Sequence, residues 1–147
     1  DIPMGQESMF VRTIEEVRAA GGEKIVSNGN ARAIRLLTAT DGLGFSLSDV
    51  HVRSGIEQSL WYKNHWEANL VLAGALEVTD KTSEQVHMLG AGDVYCVGPN
   101  DPHHLVAKTD VQIIAIFNPP LFGDEQHDKD GAYPPTGPIP EGPTVSG

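Results

Sequence analysis

After Gly22 every apolar stretch in this chain is short, runs in rough alternation, and is bounded by glycine, proline or aspartate. That pattern suits strands with one face on a core and leaves no room for a long helix. Strands are expected over Ala31 to Thr38, Gly44 to Arg53, Glu67 to Asp80 with a break at Gly74, and Gln85 to Leu89. Three more follow over Asp93 to Val97, His104 to Ala107 and Val111 to Phe117. The one helical signal is Thr13-Ile14-Glu15-Glu16, a capping box closed by Gly21-Gly22. About eight strands and one helix predict an all-β sandwich or barrel.

The chain has 147 residues, which suits one domain. Asp1 to Ser8 reads as an appended remnant outside the fold, with Met9 as the natural start. From Asn118 the periodicity stops, and seven of the ten prolines lie between Pro119 and Pro143. Residues 118–135 read as a lid segment of a domain spanning 9–135, and residues 136–147 as a tail without fixed structure.

Composition excludes some partners. A formal net charge of −10 with singly scattered basic residues argues against nucleic acid. No apolar run approaches a membrane span, and the start carries no secretory pattern. The single cysteine, Cys96, forms no internal disulfide and is expected to be buried beside Val94 and Val97. A reducing, cytoplasmic setting is the expectation.

Two segments carry chemistry. Gly92-Asp93-Val94-Tyr95 leads through Gly98-Pro99-Asn100-Asp101-Pro102 to His103, and His65-Trp66-Glu67 opens an earlier strand. The first is similar to the second motif of cupins, which are jelly-roll β-barrels. The second stands where cupins carry His-x-His. The turn is expected to set Tyr95 and His103 on one inner wall. Glu67, His103 and Tyr95 are the candidate metal ligands. Glu67 faces inward, where an unpaired carboxylate is costly. Spacing alone leaves Tyr95 open, because a phenol with a pKa of about 10 binds only once acidified. His65 by itself reads as a core histidine. An oxygen-rich set of this kind suits Fe(II), Mn(II) or Zn(II) and leaves open coordination positions.

Trp61 and Tyr62 read as a pocket wall, and Glu125 and His127 as titratable groups on the lid. The strings Trp61-Tyr62-Lys63-Asn64-His65-Trp66-Glu67-Ala68, Phe117-Asn118-Pro119-Pro120-Leu121 and Tyr133-Pro134-Pro135 resemble the ectoine synthase family. The likeness runs from about Met9 to Pro135. It implies a cupin homodimer that uses Fe(II) to close N-γ-acetyl-2,4-diaminobutyrate into ectoine with loss of water. It promotes Tyr95 to a ligand beside Glu67 and His103. It also implies a substrate wall of Arg35, Ser48, Tyr62, Trp61, Phe117, Glu125 and His127, with Tyr62, His65, Glu125 and His127 as catalytic candidates.

The chain departs from the family's pattern at Ala31, where an aromatic is usual, at Ser48 and Val50, and at Ala115. Those changes leave the metal set intact and alter the substrate wall. Two other readings therefore stand beside the first. One is a cyclase or lyase for a different acylated amino acid. The other is a cupin that binds a small molecule or metal without catalysis.

Overall fold

Ten strands follow the single helix in the computed structural model, which describes residues 9–143. The expectation for residues 1–8 lies outside the described residues. Helix α1 spans Ile14–Ala19, and its Thr13 capping box forms as expected, with Thr13 Oγ1 accepting from Glu16 N at 3.1 Å. The strands are β1 (Glu23–Val26), β2 (Ala31–Leu37), β3 (Ser46–Val52), β4 (Glu57–Leu60) and β5 (Trp66–Ala73). They continue with β6 (Leu76–Asp80), β7 (Val86–Leu89), β8 (Val94–Val97), β9 (His103–Ala107) and β10 (Val111–Asn118).

Two antiparallel sheets face one another. One has the order β1-β2-β3-β10-β5-β8 and the other β4-β9-β6-β7. Their inner faces share one core that includes Val71, Leu76, Val78, Leu105, Ile113 and Phe117. Leu76 and Val71 are essentially fully buried, each worth roughly 1.5–3 kcal/mol of transfer free energy. Helix α1 packs against β2, and Ile34 on the outer face of that strand is also fully buried.

Period-2 geometry sets what reaches the interior. On β2 it is Ala31, Ala33 and Arg35; on β5 it is Glu67 and Asn69. Gly74 turns the chain from β5 in one sheet to β6 in the other with φ 91°, and a Cβ there would strike the Asp110 carbonyl. The Asn118–Pro119 peptide is cis.

Four expectations change. Strands β1 and β4 are additional; both are short and polar, Glu-Lys-Ile-Val and Glu-Gln-Ser-Leu, and lie at sheet edges where one face meets water. Tyr95 and His103 do not share a wall. Strand β8 pairs with β5 whereas β9 pairs with β4 and β6, so the Pro99–Pro102 turn carries the chain between sheets. Cys96 is exposed, because alternation turns it outward when Tyr95 turns in. Finally, residues 136–143 lie against the barrel. Thr136 Oγ1 is 3.0 Å from His65 Nε2, and Trp66 Nε1 donates to the Pro140 carbonyl at 2.8 Å. Buried polar groups on the barrel need partners, and the tail supplies them.

Candidate active site

The barrel interior keeps a cavity of about 50 Å³ lined by Arg35, Tyr62, Glu67, Tyr95, Phe117 and His127 among others. Residues from both sheets and from the segment after β10 meet there. Such a volume holds a few waters, so a larger ligand requires the covering segment to move.

Arg35 is the strongest electrostatic feature. It is 6% exposed, and its Nη1 and Nη2 make only long bonds, 3.3 Å to Ser48 Oγ and 3.4 Å to Tyr133 Oη. Its Nε is buried without a partner. Among the described residues no carboxylate forms an ion pair with it. A buried guanidinium left in this state is prepared for an anion.

Glu67 lies inside the same cavity. Burial pushes its carboxyl up to about 7, opposed by a hydrogen bond from Asn69 Nδ2 at 2.8 Å and by the charge of Arg35. Burial, and then the nearby Glu67 charge, raise the Tyr95 phenol well above its ordinary range.

His103 is fixed by the turn before it. Its Nδ1 lies 2.8 Å from the Asp101 carbonyl, which can only accept, so Nδ1 carries the proton. The other nitrogen, Nε2, is therefore a lone-pair donor, and it is buried with no hydrogen-bond partner. The Tyr95 ring centroid is 6.4 Å from that of His103, across the gap between the sheets. An orphaned imidazole nitrogen facing a phenol, which in turn feels the charge of the buried Glu67 carboxylate, is a donor set that fits a divalent metal. Among the described residues no three His, Cys, Asp or Glu side chains cluster as ligands. The set here has only two such members, with tyrosine as the third.

His127 bridges the two halves of the barrel. Its Nδ1 is 3.0 Å from Ser27 Oγ and its Nε2 is 3.1 Å from Tyr62 Oη. Burial, helped by the Arg35 charge, depresses it to about 4. It is neutral at physiological pH. Tyr62 stacks on Tyr133 with centroids 5.7 Å apart and meets Phe117 edge-on at 5.2 Å. Tyr62 is itself raised well above its ordinary range by burial and by Glu67.

The other expected residues stand farther back. Glu125 is buried, and its oxygens accept from Phe122 N at 2.7 Å and Gly123 N at 2.8 Å. That organises its own loop. His65 is fully buried, holds Thr136, and leaves Nδ1 unpartnered. Ser48 supports Arg35 from behind. Trp61 turns outward, 36% exposed, donating to the Pro99 carbonyl with Lys63 above its ring.

Sequence reading alone omits Ser27, Asn69 and Tyr133 from the site. Asn69 follows Glu67 by two residues on one strand face, so period 2 could have found it. Tyr133 lies in a motif but gains its role only from packing. A larger groove of about 550 Å³ lies elsewhere and includes His51, but that imidazole is held by Asp49 at 3.2 Å.

The model of a known family, described as ectoine synthase, matches residues 9–137. The chain belongs to the ectoine synthase family. An L-ectoine synthase of Shouchella clausii is 41% identical over 114 residues, 78% of this chain and 85% of that protein. One of Saccharopolyspora erythraea is 36% identical over 126 residues, covering 86% and 92%. The crystal structure of ectoine synthase from P. lautus aligns with a TM-score of 0.75 at 33% identity, covering 95% of this chain and 99% of that one. A cupin 2 conserved barrel domain protein from Salinispora arenicola aligns with a TM-score of 0.60 at 22% identity, covering 76% and 89%, a likeness of fold. This ectoine synthase family member is a cupin whose two sheets enclose the cavity. Among the described residues no helix is long and apolar enough to cross a membrane.

Proposed function

We propose that the protein closes N-γ-acetyl-2,4-diaminobutyrate to the cyclic amidine ectoine, releasing water. The observation that carries this reading is the unpaired, buried Arg35 in the cavity that also holds Glu67 and Tyr95. Arg35 takes the substrate carboxylate in a forked pair. The aromatic walls of Tyr62, Phe117 and Tyr133 favour a folded chain and stabilise its ammonium through their faces. Folding brings the α-nitrogen to the acetamide carbon, which supplies the effective concentration that ring closure needs.

The bookkeeping of the reaction is simple. The α-nitrogen bonds to the acetamide carbon and gives up two of the ammonium's three protons, one before the attack and one after it. The carbonyl oxygen gains protons and its bond to carbon breaks, so it leaves as water. The amidinium keeps the positive charge. Neutral His127, with Ser27 on its Nδ1, takes a substrate proton through the Tyr62 hydroxyl on its Nε2 and returns one by the same path toward the leaving oxygen. Glu67, Tyr95 and His103 would hold Fe(II), with Zn(II) and Mn(II) as alternatives. A bound cation of this kind supplies Lewis-acid polarisation of the acetamide oxygen. Glu125 shapes the loop that carries His127.

The same reading extends to setting and assembly. One exposed cysteine and an acidic chain agree with the cytoplasm. Leu70 and Val94 pair across β5 and β8 with both side chains exposed, which favours a homodimer over this face, testable by light scattering.

A second reading has a specific observation behind it. Ala31, Val50 and Ala115 line the cavity and offer no hydrogen-bonding side chain. A wall of that kind suits an acyl group bulkier than acetyl. The deciding experiment loads the protein with Fe(II) anaerobically and follows product by NMR, offering the N-γ-acetyl substrate against N-γ-propionyl and butyryl analogues. Ectoine formation with preference for acetyl supports the first reading. Preference for a longer acyl group supports the second, and no turnover of any analogue sinks both.

A further inference from the structure

Tyr95 separates two spaces. On one side is the barrel cavity. On the other is a slit of about 160 Å³ where Tyr95 and His103 meet Asp80, His87, Cys96 and Asp101. The slit exists because β7 pairs with β6 and β8 with β5, but no ladder joins β7 to β8. His103 is 2% exposed, with its Nε2 unpartnered.

The acids of the slit are half engaged. Asp80 Oδ1 accepts from Thr82 N at 2.9 Å, and Asp101 Oδ2 accepts from Gly98 N at 2.8 Å. Among the described residues the other oxygen of each makes no hydrogen bond. The cavity side offers a cation the opposite reception. Arg35 lines it with an unpaired positive charge, and the mouth is strapped by contacts from Lys63 to Asp130, Asn64 to Tyr133 and Trp66 to Pro140.

We propose that the slit between β7 and β8 is the loading port through which a divalent cation reaches His103 and Tyr95. Asp80 and His87 gather the ion at the entrance, and Asp101 and His103 receive it at the inner end. Carboxylates beside a low-dielectric wall raise the local concentration of cations and their rate of entry. The tail strap stays closed while the metal enters, so metal loading and substrate binding use separate doors. The inference rests on the reading of Glu67, Tyr95 and His103 as the metal site.

The test follows Co(II) uptake by the metal-free full chain in stopped flow, with final metal content read by elemental analysis. Asp80→Asn keeps the acceptor for Thr82 and removes the charge; uptake is expected to slow about three- to tenfold with final content unchanged. Lys81→Glu, at an exposed position beside Asp80, is expected to speed it by a similar factor. Glu15→Gln on α1 should leave it unchanged. Cys96 is the sole cysteine and lines the slit, so a bulky maleimide there plugs the port, slowing both uptake and release at least tenfold.

Unchanged rates in Asp80→Asn, Lys81→Glu and the alkylated protein overturn the proposal. Faster loading after deletion of residues 136–147 overturns it too, because the mouth would then be the route. Absence of Co(II) from the unmodified chain at equilibrium is a different failure, that of the metal site itself.

Discussion

The Tyr62 hydroxyl lies 3.1 Å from Nε2 of His127, joining the end of β4 to the segment that follows β10. Ser27, just after β1, takes the other nitrogen. One imidazole thus closes the barrel between its two sheets and stands at the cavity. Replacing His127 by Ala is expected to lower kcat by about a hundredfold or more. Tyr62→Phe keeps the ring and should lower kcat with little change in KM, measured with the Fe(II)-loaded protein.

His127 also sets an acid limit on stability. Its folded value of about 4 lies below the ordinary 6.5. Between those values the unfolded chain binds the proton that the fold excludes. Stability is therefore complete above about pH 6.5 and falls as pH drops toward 4, by up to about 3 kcal/mol from this group. His65 and His103, also lowered by burial, add in the same direction. Urea denaturation at pH 7 and pH 4.5 should show a smaller drop in His127→Gln than in the unmodified protein.

Arg35 separates binding from folding. Arg35→Met removes a buried charge that has no partner. Melting temperature is expected to hold or rise, because the guanidinium gives the empty fold little. KM should rise about ten- to a hundredfold, the loss of a charge-assisted fork to the substrate carboxylate. A fall in melting temperature with KM unchanged would place Arg35 in the scaffold instead.

The metal set divides by contribution. Glu67→Ala and His103→Ala are expected to abolish iron binding by elemental analysis. Tyr95→Phe should weaken it about ten- to a hundredfold and remove any phenolate-to-iron absorption band. Retention of full iron by His103→Ala would end the assignment, since that variant removes the orphaned Nε2.

The tail offers a mechanical test. Truncation after Pro135 removes the partners of His65 and Trp66. Amide exchange in residues 130–135 is expected to speed up, and KM to rise more than kcat falls, as the cover over the mouth loosens.

By itself the sequence determined the strands whose inward faces are apolar. β2, β3, β5 and β10 announce themselves through alternation because one face of each must meet a core. It also determined the helix cap at Thr13 and, through motif likeness, the family. The edge strands β1 and β4 were illegible, since polar residues on a half-solvated edge leave no period to read.

The tertiary structure alone decided which groups face each other across the barrel. Tyr95 and His103 are eight positions apart yet belong to different sheets, a separation made by ladder pairing rather than by local pattern. The joining of Ser27, Tyr62 and His127 spans 100 positions, and nothing in the composition of a Pro-rich tail foretells it. Tail residues 136–143 acquire their place because buried His65 and half-buried Trp66 need hydrogen-bond partners, and that need exists only once the barrel has closed.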